Sequence, residues 1–445
     1  MEWTRRSLLL SPLLTRLDAQ VTPELVALAP ELEPLARLFE STPRDRCPGL
    51  LAAELRKGTP YRQLMAALFL AGARNVNPRP PGFALHCVFV MHAAHQLSLE
   101  APAHLRHVPL FFALDLFKAS QDRDKDYSMG SLAGALPSAA HARAEFAAAC
   151  DAWNGDRAER AAASLARHAG MTEAFDLLWH YGARDFRNIG HKAIFVANAY
   201  RTLQVIGWHY AEPILRSLAL GLNDYGPTLK MNAFAMDDQT WAANLRQPPG
   251  PLLPGPSSEA AVRALLAAIR TAAPAAACAE AAARLRRGES VASVWDAVHL
   301  AAAELTVRLR SGGVITGIHA VSAANALRFA YQTAATPATR WLLLLQAVGW
   351  MTQFRIDAEQ RPDLGRHDLL AVPAPTSRAD LGAVLAQVIV KADEVHFYKF
   401  PVAIVEDYYQ VSPPFRGAFA SAVHHYTKKP ADPTAPAMRR ALELL

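Results

Sequence analysis

Gly82-Phe-Ala-Leu-His-Cys-Val-Phe-Val-Met-His-Ala-Ala-His95 is apolar at nearly every position, yet three histidines interrupt it. Phe83 and Val90 flank His86 at three- and four-residue spacings, with Ala94 a turn further on. On a helix, His86 therefore shares a face with apolar side chains. No alternation of apolar and polar residues runs through the stretch, so it reads as a buried helix and not as a strand. The same texture recurs along the chain. Helical periodicity covers 23–40, 61–76, 83–98, 141–168, 172–183, 190–206, 212–223, 258–285, 292–310, 317–334, 338–355, 378–392 and 401–409. Ala, Leu and Arg, strong helix formers, dominate the composition. The strand-like runs Val314-Ile315-Thr316 and Gln387–Val390 are short and border helices. The expected fold class is all-α, a large multi-helix unit in two helical halves around a buried metal site.

The halves are divided by Gln247-Pro-Pro-Gly-Pro-Leu-Leu-Pro-Gly-Pro256, whose five prolines forbid helix and sheet alike. This gives residues 1–245 as an N-terminal half, 246–257 as a connector and 258–445 as a C-terminal half. The 445 residues suffice for one large or two ordinary domains. The formal charge of +6 comes from 46 basic against 40 acidic residues. No Lys/Arg tract accompanies it, since Leu285-Arg286-Arg287 and Lys428-Lys429 stand alone, so nucleic acid is not an expected partner. The four cysteines lack CxxC spacing and read as reduced core residues. No stretch approaches the roughly 18 apolar residues of a membrane span. Thr4-Arg5-Arg6-Ser7-Leu8-Leu9-Leu10 resembles the start of a twin-arginine signal, but the apolar run stops at Leu14 with no small-x-small site after it. A cytoplasmic location is expected.

Chemistry-bearing motifs are few. GxGxxG, P-loop, HExxH and GxSxG are absent from the sequence, so it offers no motif for nucleotide or serine-based chemistry. Asp122-Arg-Asp-Lys-Asp126 lacks the Gly and terminal Glu of a calcium loop. The histidines remain. A buried imidazole needs a partner for each ring nitrogen, and for any one of them a carbonyl one turn away suffices. Several in comparable settings point instead to a shared metal. The candidates are His86, with His95 as the alternative on the same helix; His191, opening a long helix after Asp185; His319, after Gly312-Gly313; and His396, three residues before Lys399. Glu406-Asp407, ahead of two tyrosines, reads as a solvated rim.

Three of these segments resemble the questin oxidase-like family, in the family's order and across most of the chain. Gly190-His191-Lys192-Ala193-Ile194 resembles its GHPLIHLGYA element. Ile318-His319-Ala320-Val321-Ser322 is similar to LHAVT, and Asp393-Glu394-Val395-His396-Phe397-Tyr398-Lys399 to DDxHxxK. The second histidine of the first element falls at Phe195, and Pro60–Met65 matches an early NHxPM element without its histidine. The resemblance implies an all-helical oxygenase of aromatic polyketides, with mononuclear non-haem Fe(II) held by four histidines and a carbamylated lysine. Carried over, the ligands are His191, His319, His396 and Lys399, with His86 as the fourth imidazole. The implied partners are a small aromatic substrate and dioxygen. Carbon dioxide adds only to a neutral amine, which requires apolar surroundings such as Phe397, Phe400 and Val402. Four neutral imidazoles and one carbamate leave about one positive charge on a divalent ion, favouring a phenolate or enolate. A cavity lined by Phe89, Phe111, Phe112, Trp208, Phe329, Tyr331 and Tyr398 would suit a flat substrate, although these rings serve equally as core. A hydrolase using a carbamylated lysine and a non-enzymatic protein with satisfied core histidines are the alternatives.

Overall fold

The computed structural model describes residues 20–225, 235–310, 313–362, 364–371 and 375–445. The twin-arginine-like segment lies outside them. Twenty α-helices account for most of the described chain. They are α1 (Glu33–Ser41), α2 (Cys47–Arg56), α3 (Tyr61–Asn75), α4 (His86–Glu100), α5 (Val108–Arg123), α6 (Ala139–Asp151), α7 (Gly155–His168), α8 (Met171–Gly182), α9 (His191–Ile206) and α10 (Ala211–Leu222), followed by α11 (Ala235–Arg246), α12 (Glu259–Thr271), α13 (Pro274–Arg286), α14 (Val291–Arg308), α15 (Val314–Thr333), α16 (Pro337–Glu359), α17 (Arg378–Lys391), α18 (His396–Asp407), α19 (Pro413–Ser421) and α20 (Pro436–Leu444). The all-α expectation holds. Both strand-like runs lie within helices, α15 and α17.

Three expected helices are corrected, the first by a strand pairing with a distant segment and the other two by local rules. Residues 23–40 are not one helix: β1 (Gln20–Leu25) pairs antiparallel with β2 (Gly130–Ala133), and α1 starts only beside Pro34. Residues 141–168 break where the Asn154 side chain caps α7 by accepting from the Arg157 amide. Residues 258–285 break at Pro274, which takes the first position of α13, where a missing N–H costs nothing. Five helices escaped the periodicity: α2, α5, α11, α19 and α20. Gly207 (φ 121°) ends α9 as expected.

One continuous apolar core joins helices from both sides of the proline-rich segment. Within it, α4, α9, α15 and α18 form a closed ring: α4 packs on α9, α9 on α15, α15 on α18, and α18 back on α4. Gly317 allows α15 to seat against α14, because a Cβ there would lie 2.5 Å from the Thr306 Cα. Any side chain at this position would push α15 outward, and with it the histidine two residues later.

Candidate metal centre

Each helix of the ring delivers one histidine from its N-terminal part. His86, His191 and His396 are the first residues of α4, α9 and α18, and His319 lies in the second turn of α15. The four converge: one ring nitrogen from each lies within 4.8 Å of the others. His191 Nε2 is 3.1 Å from His86 Nε2 and 3.1 Å from His319 Nε2. The His396 ring stands 5.0 Å from that of His86 and 4.8 Å from that of His319, centroid to centroid. His95, the alternative, is elsewhere, its Nδ1 3.4 Å from the Tyr61 hydroxyl.

The outer nitrogens settle the tautomers. His86 Nδ1 donates to the Phe83 carbonyl at 2.7 Å, His191 Nδ1 to Asn188 at 2.6 Å and His319 Nδ1 to Ile315 at 2.7 Å. A carbonyl only accepts, so each of these Nδ1 atoms carries the proton. His396 Nδ1 meets the Glu394 carboxylate at 2.8 Å, another acceptor, and Tyr426 donates to Glu394 at 2.7 Å. Glu394 is held below the usual carboxylate range, because the bonds from His396 and Tyr426 outweigh the upward effect of burial. Burial, the charge of Lys399 and the neighbouring imidazoles push His86, His191 and His319 well below the ordinary histidine range, and His396 downward as well. The rings are therefore neutral. Four Nε2 lone pairs then point at one another with no proton between them, a repulsive arrangement unless a cation sits in the middle. The donor set fits a divalent transition metal, with every ligand fixed by an outer acceptor.

Backbone strain positions two of those acceptors. Phe83 (φ 44°) and Asn188 (φ 59°) occupy the left-handed region, as does Ile189 (φ 48°). Such conformations cost a side chain of order 1–3 kcal/mol and persist only when their surroundings enforce them. Here they aim two carbonyls three residues forward, at His86 and His191. Gly82 (φ 120°) passes so close to the His191 ring that a Cβ would lie 3.0 Å from its Nδ1.

Lys399 lies one turn beyond His396 on α18 and is buried; its Nζ has no hydrogen-bond partner among the described residues. Burial pushes the amine down to about 7, against a smaller upward pull from Glu394. The apolar neighbours are those expected only in part. Phe89 stands over the amine, 5.3 Å from Nζ to ring centroid, and Val402 lines the same small cavity, whereas Phe397 stacks on Tyr426. Asp185 does not orient His191; it pairs with Lys192 at 3.0 Å.

A cavity of about 680 Å³ opens onto the four imidazoles. None of the seven aromatic residues expected to line a substrate cavity does so. Phe83, Phe186, Ile189, Ile315 and Ile356 supply the apolar wall, and Asn188, Asp237, Gln353, Asp357 and Gln360 the polar groups. Phe83 is 71% exposed at this wall, unusual for so large an apolar ring. Gln353 is buried, and its Oε1 has no partner among the described residues. Burial, then the neighbouring Asp185 charge, pushes Asp237 up to about 8, so it presents a neutral acid near pH 7. Its folded-state pKa lies above the ordinary 3.8. The stability it contributes is thus full below that value and is lost as pH rises toward about 8. Asp237→Asn is expected to melt higher than the parent at pH 9, with the gap closing toward pH 5; parallel pH profiles of melting temperature would refute this.

The fold and site define a class, an all-helical protein with a buried four-histidine cluster under an apolar pocket. No family model, curated protein or solved structure matches the chain. No helix of the described residues is long and apolar enough to cross a membrane.

Proposed function

We propose that the protein is a non-haem iron-dependent oxygenase acting on a small aromatic, polyketide-like molecule with dioxygen. The observation that carries this reading is the set of four facing imidazole lone pairs at the edge of an apolar cavity, beside a buried amine with no partner. His86, His191, His319 and His396 would hold the ion, and Lys399, as its carbamate, would add an anionic oxygen. When bound, Fe(II) supplies the electrons for dioxygen activation. The chain's own residues do the rest. Phe83 and Phe186 offer faces for a flat ring, Asp237 a hydrogen-bond donor and Gln353 an acceptor. The apolar wall excludes water from the reacting face. The choice of iron and oxygen rests on the motif resemblance around His191, His319 and His396; the imidazole set alone also suits zinc.

Metal analysis of protein made with iron and purified anaerobically tests the reading. Stoichiometric iron, with oxygen uptake on adding a hydroxylated anthraquinone, is the expected result. Zinc without oxygen uptake would favour a hydrolase, and a metal-free protein would sink both enzymes.

A further inference from the structure

Lys399 does not line the apolar cavity; it borders a different space. A cavity of about 20 Å³ is lined by Lys399, Ser322, Asn325, Arg201, His92 and Glu406, and none of the four clustered histidines takes part. It meets the volume of about 10–15 Å³ that one water requires, and its walls are polar enough to hold one. Two polar atoms on residues only 5% exposed, Lys399 Nζ and His92 Nδ1, belong to its lining residues and lack partners among the described residues.

The remaining polar groups are tied together. His92 Nε2 meets Glu406 Oε1 at 2.5 Å, and Arg201 reaches Glu406 at 3.3 Å and Asn325 at 2.9 Å. Asn325 closes the set by donating to Glu406 at 3.1 Å. Since Nε2 donates to the carboxylate, His92 Nδ1 is left as an acceptor. His92, Arg201 and Glu406 also line an outer groove of about 380 Å³, bordered by Gln204, Gln332 and Gln410. The outer groove and the small cavity thus share three residues. The large apolar cavity shares none with either.

We propose that this polar passage is a second entrance to Lys399, separate from the apolar pocket, ending in a site for one water that bridges the lysine amine and His92. Water and other small polar molecules use it, and the His92–Glu406–Arg201 set is its gate. Small reactants then reach the lysine while a large apolar molecule fills the other pocket.

Cyanate, a small polar reagent, tests the route on the metal-stripped 445-residue chain. It reacts as isocyanic acid, HNCO: its carbon bonds to the neutral Lys399 nitrogen as the C=N π bond opens, and an amine proton passes to the HNCO nitrogen, leaving a carbamoyl-lysine that peptide mass spectrometry counts. Exposed Lys57 is the internal reference. Gln204→Trp, at the groove, and Ser322→Val, in the cavity, should each slow Lys399 modification about tenfold, while Ile356→Trp in the apolar pocket should leave it nearly unchanged. Variants are compared only where circular dichroism matches the parent, and Gln204→Trp changes an exposed position. Slowing by Ile356→Trp alone, equal rates in all variants, or a parent whose Lys399 stays unmodified while Lys57 reacts would each overturn the proposal. Metal analysis of the same preparation before stripping reads the metal assignment separately, so either idea can fail without the other.

Discussion

His319→Ala is expected to give a folded protein that no longer retains a metal ion. Alanine suits the interior of α15, so the helix should persist. The loss removes one of four lone pairs and leaves His191 Nε2 with a single neighbour at 3.1 Å, His86 Nε2, beside the more distant His396. Outer-sphere changes alone cost 10–100-fold in metal affinity, so removing a ligand should cost at least about 100-fold. Elemental analysis should find full occupancy in the parent and little in the variant. The rise in melting temperature that added metal gives the parent should shrink accordingly. Full occupancy in the variant would show that the ligand assignment is wrong.

Lys399→Met separates the lysine's chemistry from its packing. Methionine fills a similar volume without an amine. Oxygen uptake should fall by at least about 100-fold, the scale of losing a group that acts only in the reacting complex. The histidines should still bind metal, more weakly. In the metal-free protein the same change should alter stability by no more than about 1 kcal/mol, because an amine whose hydrogen-bond partner is a single bridging water is exchanged for an apolar chain of similar volume. Equilibrium denaturation measures this. A variant that keeps its oxygen uptake would refute the carbamate assignment, and one that loses several kcal/mol without metal would show that Nζ has a stronger partner than one water.

The sequence was informative where local rules govern. Apolar runs of helical period gave the all-α class and most helix centres, and capping or proline chemistry explains the breaks at Asn154 and Pro274. Of the site, His191, His319 and His396 were legible through short motifs, and His86 through its place on an apolar face. At His86, Nδ1 is satisfied by a carbonyl one turn away, as for a core histidine, while Nε2 faces the three other imidazoles.

Other residues were misread because their environment comes from elsewhere in the chain. Glu406 and Asp407 read as a solvated rim, yet Asp407 is buried beside His299 and Glu406 joins His92 and Arg201, 314 and 205 positions earlier in the sequence. Asp237 and Gln353 carry no motif at all; the cavity wall alone gives them a role. Glu394 did leave a trace, a carboxylate two residues before a histidine at a helix start.

By itself, then, the sequence determined that helices form and that histidines lie on buried faces, since both follow from contacts within a turn or two. Only the tertiary structure decided that α4, α9, α15 and α18 close into a ring with their histidines at one place. That convergence depends on packing between residues as far apart as His86 and His396, and no local rule reaches so far.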